Sequence, residues 1–319
     1  MIRIGVVGAG IIATEHLKHI HRNERAELAA VCDVAPAAAE RAARQYGGKA
    51  YDDFDEMLDR EKLDALFICV PPFAHGNMEE KAAERGIHLL VEKPLGLRMD
   101  EVRRKAEALE QSGVIAGSGY CLRYMESVQR AKRYLEGKEI AMVRAYRFGG
   151  LPPNPWWVDH AKSGGQLVEQ TTHNVDLMLH LAGDVRKISA DMGLLLSRDV
   201  PGITTPDAAS VNMVFASGAL GHIDTGFFPQ PDGRSSLEMM GRNFRLTLEG
   251  SHLTITEPDQ TWVFKGRGDF YQAQDDAFIQ AVETGDRSLI LAPYGEALRT
   301  LEVTLAANES AKTGLPVMF

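Results

Sequence analysis

The stretch IRIGVVGAGIIA, residues 2–13, decides how this chain is read. A strand-like run leads straight into Gly8-Ala9-Gly10-Ile11-Ile12-Ala13, which opens a helix. In such a turn the first glycine permits the tight bend and the second lets backbone approach a pyrophosphate. The small third residue, Ala13, lets helix and strand pack closely. The helix start at Ile11 and Ile12 offers free N–H groups and the positive end of the helix dipole to phosphates. Asp33, 20 residues past Ala13, ends the next apolar run, where a carboxylate accepts hydrogen bonds from the adenosine ribose. A carboxylate there repels a 2'-phosphate, and Val34, Ala35 and Pro36 supply no arginine, so NAD is favoured over NADP.

Outward from this stretch, the runs LAAVCD, ALFICV, HLLVEK and VIAGSGY alternate with Ala-, Glu- and Arg-rich helical segments up to residue 120. Near-continuous apolar strands separated by helices predict a parallel sheet covered on both faces, a Rossmann dinucleotide-binding domain over residues 1–120. The loop CVPPFAH follows the fourth strand at the ligand-binding edge; Pro71 and Pro72 hold it beside the cofactor, and His75 is a candidate contact. After Tyr120 the pattern changes. The segments 209–228, 235–250 and 251–266 read as strands joined by tight turns, the first around Ser217-Gly218. Residues 121–319 are therefore expected to form an α+β domain with a large, mostly antiparallel open sheet. It closes with helices over YQAQDDAFIQAVETG and PYGEALRTLEVTLAANESAKTG.

The 319 residues are too many for one ordinary core, and 45% apolar with 25% charged residues fits a globular chain. A formal net charge of -9 without a basic patch argues against a nucleic-acid partner. The N-terminus has no signal-peptide pattern and no apolar run is long enough to span a bilayer, so the expected location is cytoplasmic. Cys32, Cys69 and Cys121 are odd in number and read as buried small hydrophobes in a reducing compartment.

LLVEKPLG, residues 89–96, resembles the Glu-Lys-Pro signature of the glucose-fructose oxidoreductase, inositol dehydrogenase and rhizopine-catabolism family. The likeness continues in GSGYCLRY, in the His-x-x-Asp helix and in LEVTLAANESAKTGLPV. It implies a two-domain NAD-dependent dehydrogenase that takes hydride from a secondary alcohol of a sugar, inositol or related polyol. It further places Glu92 and Lys93 beside the nicotinamide, with Lys93 stabilising the developing alkoxide. The family's Asp and His pair corresponds to Glu169 and His173 here, a departure at the first position. His173 is then the proton acceptor, and Glu169 orients it or contacts substrate. The alternative from another class is a catalytically silent dinucleotide- and sugar-binding sensor of the same fold.

GGQLVEQTTHNVDLMLHLAG, residues 164–183, reads as one apolar helix whose Glu169, His173, Asp176 and His180 share a stripe. A metal on His173, Asp176 and His180 lacks an obvious further ligand, so none is expected; Asp176 and His180 also fit as satisfied buried polar groups. Glu15, His16 and His19 on the first helix are read as surface or inter-domain polar groups. Tyr120 and Arg123 follow the last strand of the cofactor domain and are expected to line the substrate cleft. Trp156 and Trp157 are read either as a wall for a sugar ring or as packing in a subunit interface. Val211, Met213 and Phe215 alternate as expected for an open sheet face buried in a homodimer or homotetramer, which the family resemblance also implies.

Overall fold

In the computed structural model, which describes residues 1–228 and 233–319, the first strand β1 (Ile2–Val7) buries its last four residues. It is followed by α1 (Ile11–Arg22), β2 (Ala26–Cys32), α2 (Pro36–Tyr46), β3 (Lys49–Tyr51), α3 (Phe54–Arg60) and β4 (Ala65–Ile68). Next come α4 (Met78–Glu84), β5 (His88–Val91), α5 (Met99–Ser112) and β6 (Ala116–Ser118). The six strands pair in parallel in the order β3-β2-β1-β4-β5-β6. The order reverses between β1 and β4, so the Gly8–Gly10 turn stands at the switch point where such sheets bind ligands. β3 was not visible in the sequence, because its three residues are exposed or half-buried and carry no apolar run.

The remaining elements are α6 (Glu126–Leu135), β7 (Ile140–Gly149), α7 (His160–Ser163), α8 (Gly165–Glu169), α9 (Thr172–Ala182), β8 (Val185–Gly193), β9 (Ala208–Phe215) and β10 (Leu220–Phe227). Then follow β11 (Arg234–Gly241), β12 (Phe244–Glu249), β13 (His252–Glu257), β14 (Gln260–Lys265), α10 (Phe270–Thr284), α11 (Tyr294–Thr313) and β15 (Val317–Met318). Nine strands form a sheet in the order β14-β13-β12-β11-β7-β10-β9-β8-β15. Among the described residues of this sheet only β7 and β10 pair in parallel; the expected β9–β10 hairpin turns at Gly218, whose φ of 92° suits glycine.

The chain forms two compact units, Met1–Tyr124 with Asp269–Leu298 and Met125–Gly268 with Arg299–Phe319. The first helix of the C-terminal pair, α10, thus returns to the first unit. Its Phe278 and Ile279 are fully buried in one core with Ile4, Val6, Leu17 and Phe67, and the Phe67 and Phe278 rings meet edge-on at 5.3 Å. Asp269 caps α10 by accepting from Tyr271 N and Gln272 N, and Gly285 ends it at φ 76°.

Two sequence expectations change in the second unit. Residues 164–183 are not one helix: Thr171 N reaches back five residues to Gln166 O, and this wide turn separates α8 from α9. The wide turn interrupts the phase of about 100° per residue on which one stripe through Glu169 was expected. Val211, Met213 and Phe215 do not face outward. They are buried on the side of the sheet that meets Met178 of α9. The opposite face carries Met142, Arg144, Tyr146, Leu220 and His222, with Met142 39% and Leu220 53% exposed.

Candidate active site

In the first unit the glycine turn is shaped by contact. Gly8 has φ 85°, and a Cβ there would lie 2.8 Å from the Cys69 carbonyl carbon. At Gly10 a Cβ would meet no atom within 4 Å, so the backbone can be approached closely. No side chain caps α1, which leaves the N–H groups of Ile11 and Ile12 for an incoming anion. Asp33 joins this cradle from the end of β2. Its Oδ2 accepts from Ala9 N at 2.7 Å and its Oδ1 from Ala35 N at 2.9 Å. Each carboxylate oxygen keeps a lone pair for a ribose hydroxyl. The residues present fit a dinucleotide.

Pro71 caps a single 3-10 turn after β4. His75, expected as a cofactor contact, is instead buried: its Nδ1 lies 2.8 Å from Glu79 Oε1, and Lys105 Nζ lies 3.0 Å from Glu79 Oε2. Burial pushes the Glu79 carboxyl up, but His75 and Lys105 beside it pull it below the usual carboxylate range. These contacts fix the loop from beneath.

Glu92 and Lys93 sit at the carboxyl end of β5. Glu92 N donates to Ile68 O at 2.8 Å, and Lys93 N donates to Glu92 Oε2 at 3.1 Å. Glu92 Oε1 lies 3.2 Å from His16 Nε2, and both oxygens of Asp275 lie 2.9 Å from His16 Nδ1. His19 Nδ1 meets Asp275 Oδ2 at 2.8 Å. Of the two readings of His16 and His19, as surface or inter-domain polar groups, the surface one is corrected: both are buried, while Glu15 pairs with Lys18 on the exposed side. The signal was available, since Ala13, His16, Leu17 and Ile20 follow the i, i+3, i+4, i+7 spacing of a buried face.

Tyr120 and Arg123, expected to line the substrate cleft, are buried. Arg123 Nη1 donates to Leu291 O at 2.9 Å and to Glu296 Oε2 at 2.7 Å, bracing the segment that returns to this unit. The three cysteines are free and buried, and burial pushes the Cys32 thiol up to about 12.

In the second unit Glu169 ends α8 and is buried. Its Oε2 accepts from Trp157 Nε1 at 2.9 Å and from Gln170 Nε2 at 2.5 Å; Gln170 Oε1 in turn accepts from Arg147 Nη2 at 3.1 Å. Trp157 is fully buried and meets Phe227 edge-on at 5.0 Å, so it serves as an internal brace, whereas Trp156 is half-buried. His173 lies in the first turn of α9 and is buried. Asp176 is buried and accepts from Thr300 Oγ1 at 3.1 Å. Among the described residues no group of three His, Cys, Asp or Glu side chains is disposed to hold a metal. Nor is any helix there long and apolar enough to cross a membrane.

Residues 2–120 match the model of the oxidoreductase family with an NAD-binding Rossmann fold, and residues 128–247 match the GFO/IDH/MocA C-terminal domain. The chain belongs to this family. It is an NAD-dependent oxidoreductase with a Rossmann unit and a second unit built on a mostly antiparallel sheet. Among its relatives, the myo-inositol 2-dehydrogenase of Thermotoga maritima is 30% identical over 226 residues, covering 70% of this chain and 68% of that protein. The scyllo-inositol 2-dehydrogenase (NAD(+)) of Bacillus subtilis is 28% identical over 337 residues, covering 100% and 96%. The solved structure of the WlbA dehydrogenase from Bordetella pertussis, in complex with NADH and UDP-GlcNAcA, superposes with a TM-score of 0.87 at 25% identity, covering 100% and 98%.

Proposed function

We propose that this family member oxidises a secondary alcohol of a cyclitol or sugar. Lys93 and His173 act on the reacting hydroxyl, and Glu169 acts on the substrate or on His173. The observation that carries the reading is the anchoring of Lys93: its backbone is tied to Glu92 at the ligand edge of the sheet that bears the glycine turn. Relatives named as inositol dehydrogenases support the substrate class. Bound NAD supplies the hydride acceptor. The Lys93 ammonium stabilises negative charge on the substrate oxygen. The His173 imidazole takes the hydroxyl proton. Glu169, oriented by the Trp157 indole and Gln170, presents a fixed acceptor to a hydroxyl or to the imidazole.

Gly8, Gly10, Ile11, Ile12 and Asp33 hold the dinucleotide, Pro71 and Glu92 border it, and His75 supports Pro71's loop. Residues 1–120 with the returning segment form the cofactor domain. The rest of the chain serves substrate binding and assembly. Trp156 remains a candidate substrate wall, while Tyr120 and Arg123 hold their own unit. Assembly as a homodimer or homotetramer uses the open sheet face bearing Met142 and Leu220. A cytoplasmic location suits three free thiols.

The test is NADH formation when the protein is incubated with NAD and a panel of inositols and sugars. Turnover on one of them is expected; tight NAD binding with none oxidised would establish the silent sensor instead.

A further inference from the structure

We propose that His16 is a positioning residue for Lys93, acting through Glu92, and that Asp275 from the returning helix α10 holds His16 in that task. The proposal rests on the reading of Lys93 as the group beside the reacting hydroxyl.

The contacts form one chain. His19 and His16 both bind the Asp275 carboxylate, His16 passes on to Glu92 Oε1, and Glu92 Oε2 receives the Lys93 N–H. His16 places each ring nitrogen on a carboxylate, an arrangement in which an imidazolium donates to both. Burial pushes His16 down, but Asp275 and Glu92 raise it further, to about 10. It packs against Phe67 and Tyr271, so no water-facing side of the ring is left to relax the charge. The Glu92 carboxylate lies tight against the backbone at Gly119. A Cβ on Gly119 would run into it, and Gly119 N is itself bonded to Val91 O at 2.8 Å.

Without the imidazolium, two buried carboxylates lose their shared cation, and the Glu92 carboxylate is no longer held in its place. Its displacement releases the hydrogen bond that orders the Lys93 backbone. Hydride transfer is sensitive to such displacement, since a shift of about 1 Å in a reacting group costs on the order of 100-fold.

The experiment compares His16→Gln, Asp275→Asn, His19→Gln and Lys93→Met in the full chain, on a polyol that the wild type oxidises. NADH formation in a single turnover is read by stopped flow, alongside the NAD Kd and the thermal midpoint. His16→Gln is expected to slow the single turnover by about 10- to 100-fold with the NAD Kd within about threefold. Asp275→Asn should slow it by at least about fivefold, and His19→Gln, which leaves His16 between its carboxylates, by less than about threefold.

A second readout needs no substrate. Reductive ¹³C-methylation keeps lysines charged, and the Lys93 signal, assigned by its loss in Lys93→Arg, should move in His16→Gln and in Asp275→Asn. A wild-type single-turnover rate and an unmoved Lys93 signal, with only the thermal midpoint lowered, would overturn the proposal. If His16→Gln does not fold, the same two readouts on Asp275→Asn decide it. Full activity in Lys93→Met would instead remove the role of Lys93 itself, and if no polyol is oxidised the methyl signal alone decides the positioning.

Discussion

Asp33→Asn tests the cofactor cradle, because the carboxylate has two tasks that an amide cannot share. In the protein its oxygens accept from Ala9 N at 2.7 Å and from Ala35 N at 2.9 Å. Each bond to a charged acceptor contributes about 1.5–3 kcal/mol. An asparagine oxygen keeps the Ala9 bond at the neutral value of about 1 kcal/mol, while its NH₂ group faces the Ala35 N–H and bonds nothing there. Half of the acceptor capacity toward the ribose also goes, since the NH₂ group cannot accept. The loss in NAD binding is then one charge-assisted bond, about 1.5–3 kcal/mol, or roughly 10- to 150-fold in Kd. NADP responds in the opposite sense, because the substitution removes the charge that repels its 2'-phosphate; its Kd should stay level or fall. Titration calorimetry with both dinucleotides measures the two constants. An NAD Kd within about threefold of the wild type, or equal losses for NAD and NADP, would refute the assignment of Asp33 to the ribose.

Three further outcomes follow from the same contacts. Gly10→Ala should leave stability within about 0.5 kcal/mol yet weaken NAD at least about tenfold, whereas Gly8→Ala should cost about 2 kcal/mol or more from its positive φ and its contact with Cys69; denaturation and NAD titration of both variants separate the effects. Trp157→Phe keeps a ring against Phe227 but removes the donor to Glu169, so unfolding free energy should fall by about 1.5–3 kcal/mol and the polyol KM should rise; an unchanged KM would show that Glu169 needs no orientation by the indole. His16, whose folded value is raised, stabilises fully below its unfolded value near 6.5 and loses that contribution as pH climbs towards about 10, while the lowered Glu79 and Asp275 lose theirs as pH falls through their folded values. Thermal midpoints across pH should therefore decline on both sides, and His16→Gln should flatten the alkaline limb.

The cofactor half of the site was legible because its parts lie close in sequence. Strand, glycine turn and Asp33 fall within 33 residues, and each has a local conformational signature. The hairpins were legible for the same reason. Burial of His16 was only half legible: the helical spacing placed it on the apolar face, but its partner Asp275 is 259 residues away. Asp275, Phe278 and Ile279 show the matching spacing on α10, yet nothing local says which core they enter. The break between α8 and α9 depends on one wide turn at Thr171, a residue with no breaker chemistry, so periodicity ran through it. Glu169 and His173 were visible on the ionisable stripe and took their roles from the resemblance, while the Trp157 and Gln170 contacts that fix the former are tertiary.

The return of Asp269–Leu298 to the first unit also bears on the order in which the protein is made. As the chain leaves the ribosome, residues 1–124 emerge without α10, so the surface of β1, α1 and β4 that Phe278 and Ile279 cover is wet, and His16 has one carboxylate instead of two. The second unit's sheet is nearly all synthesised before that helix appears. The dinucleotide cradle thus reaches its final form late in translation, although the glycine turn emerges some 260 residues before α10, and a nascent chain stalled before residue 269 should bind NAD poorly even with every residue of the glycine turn in place.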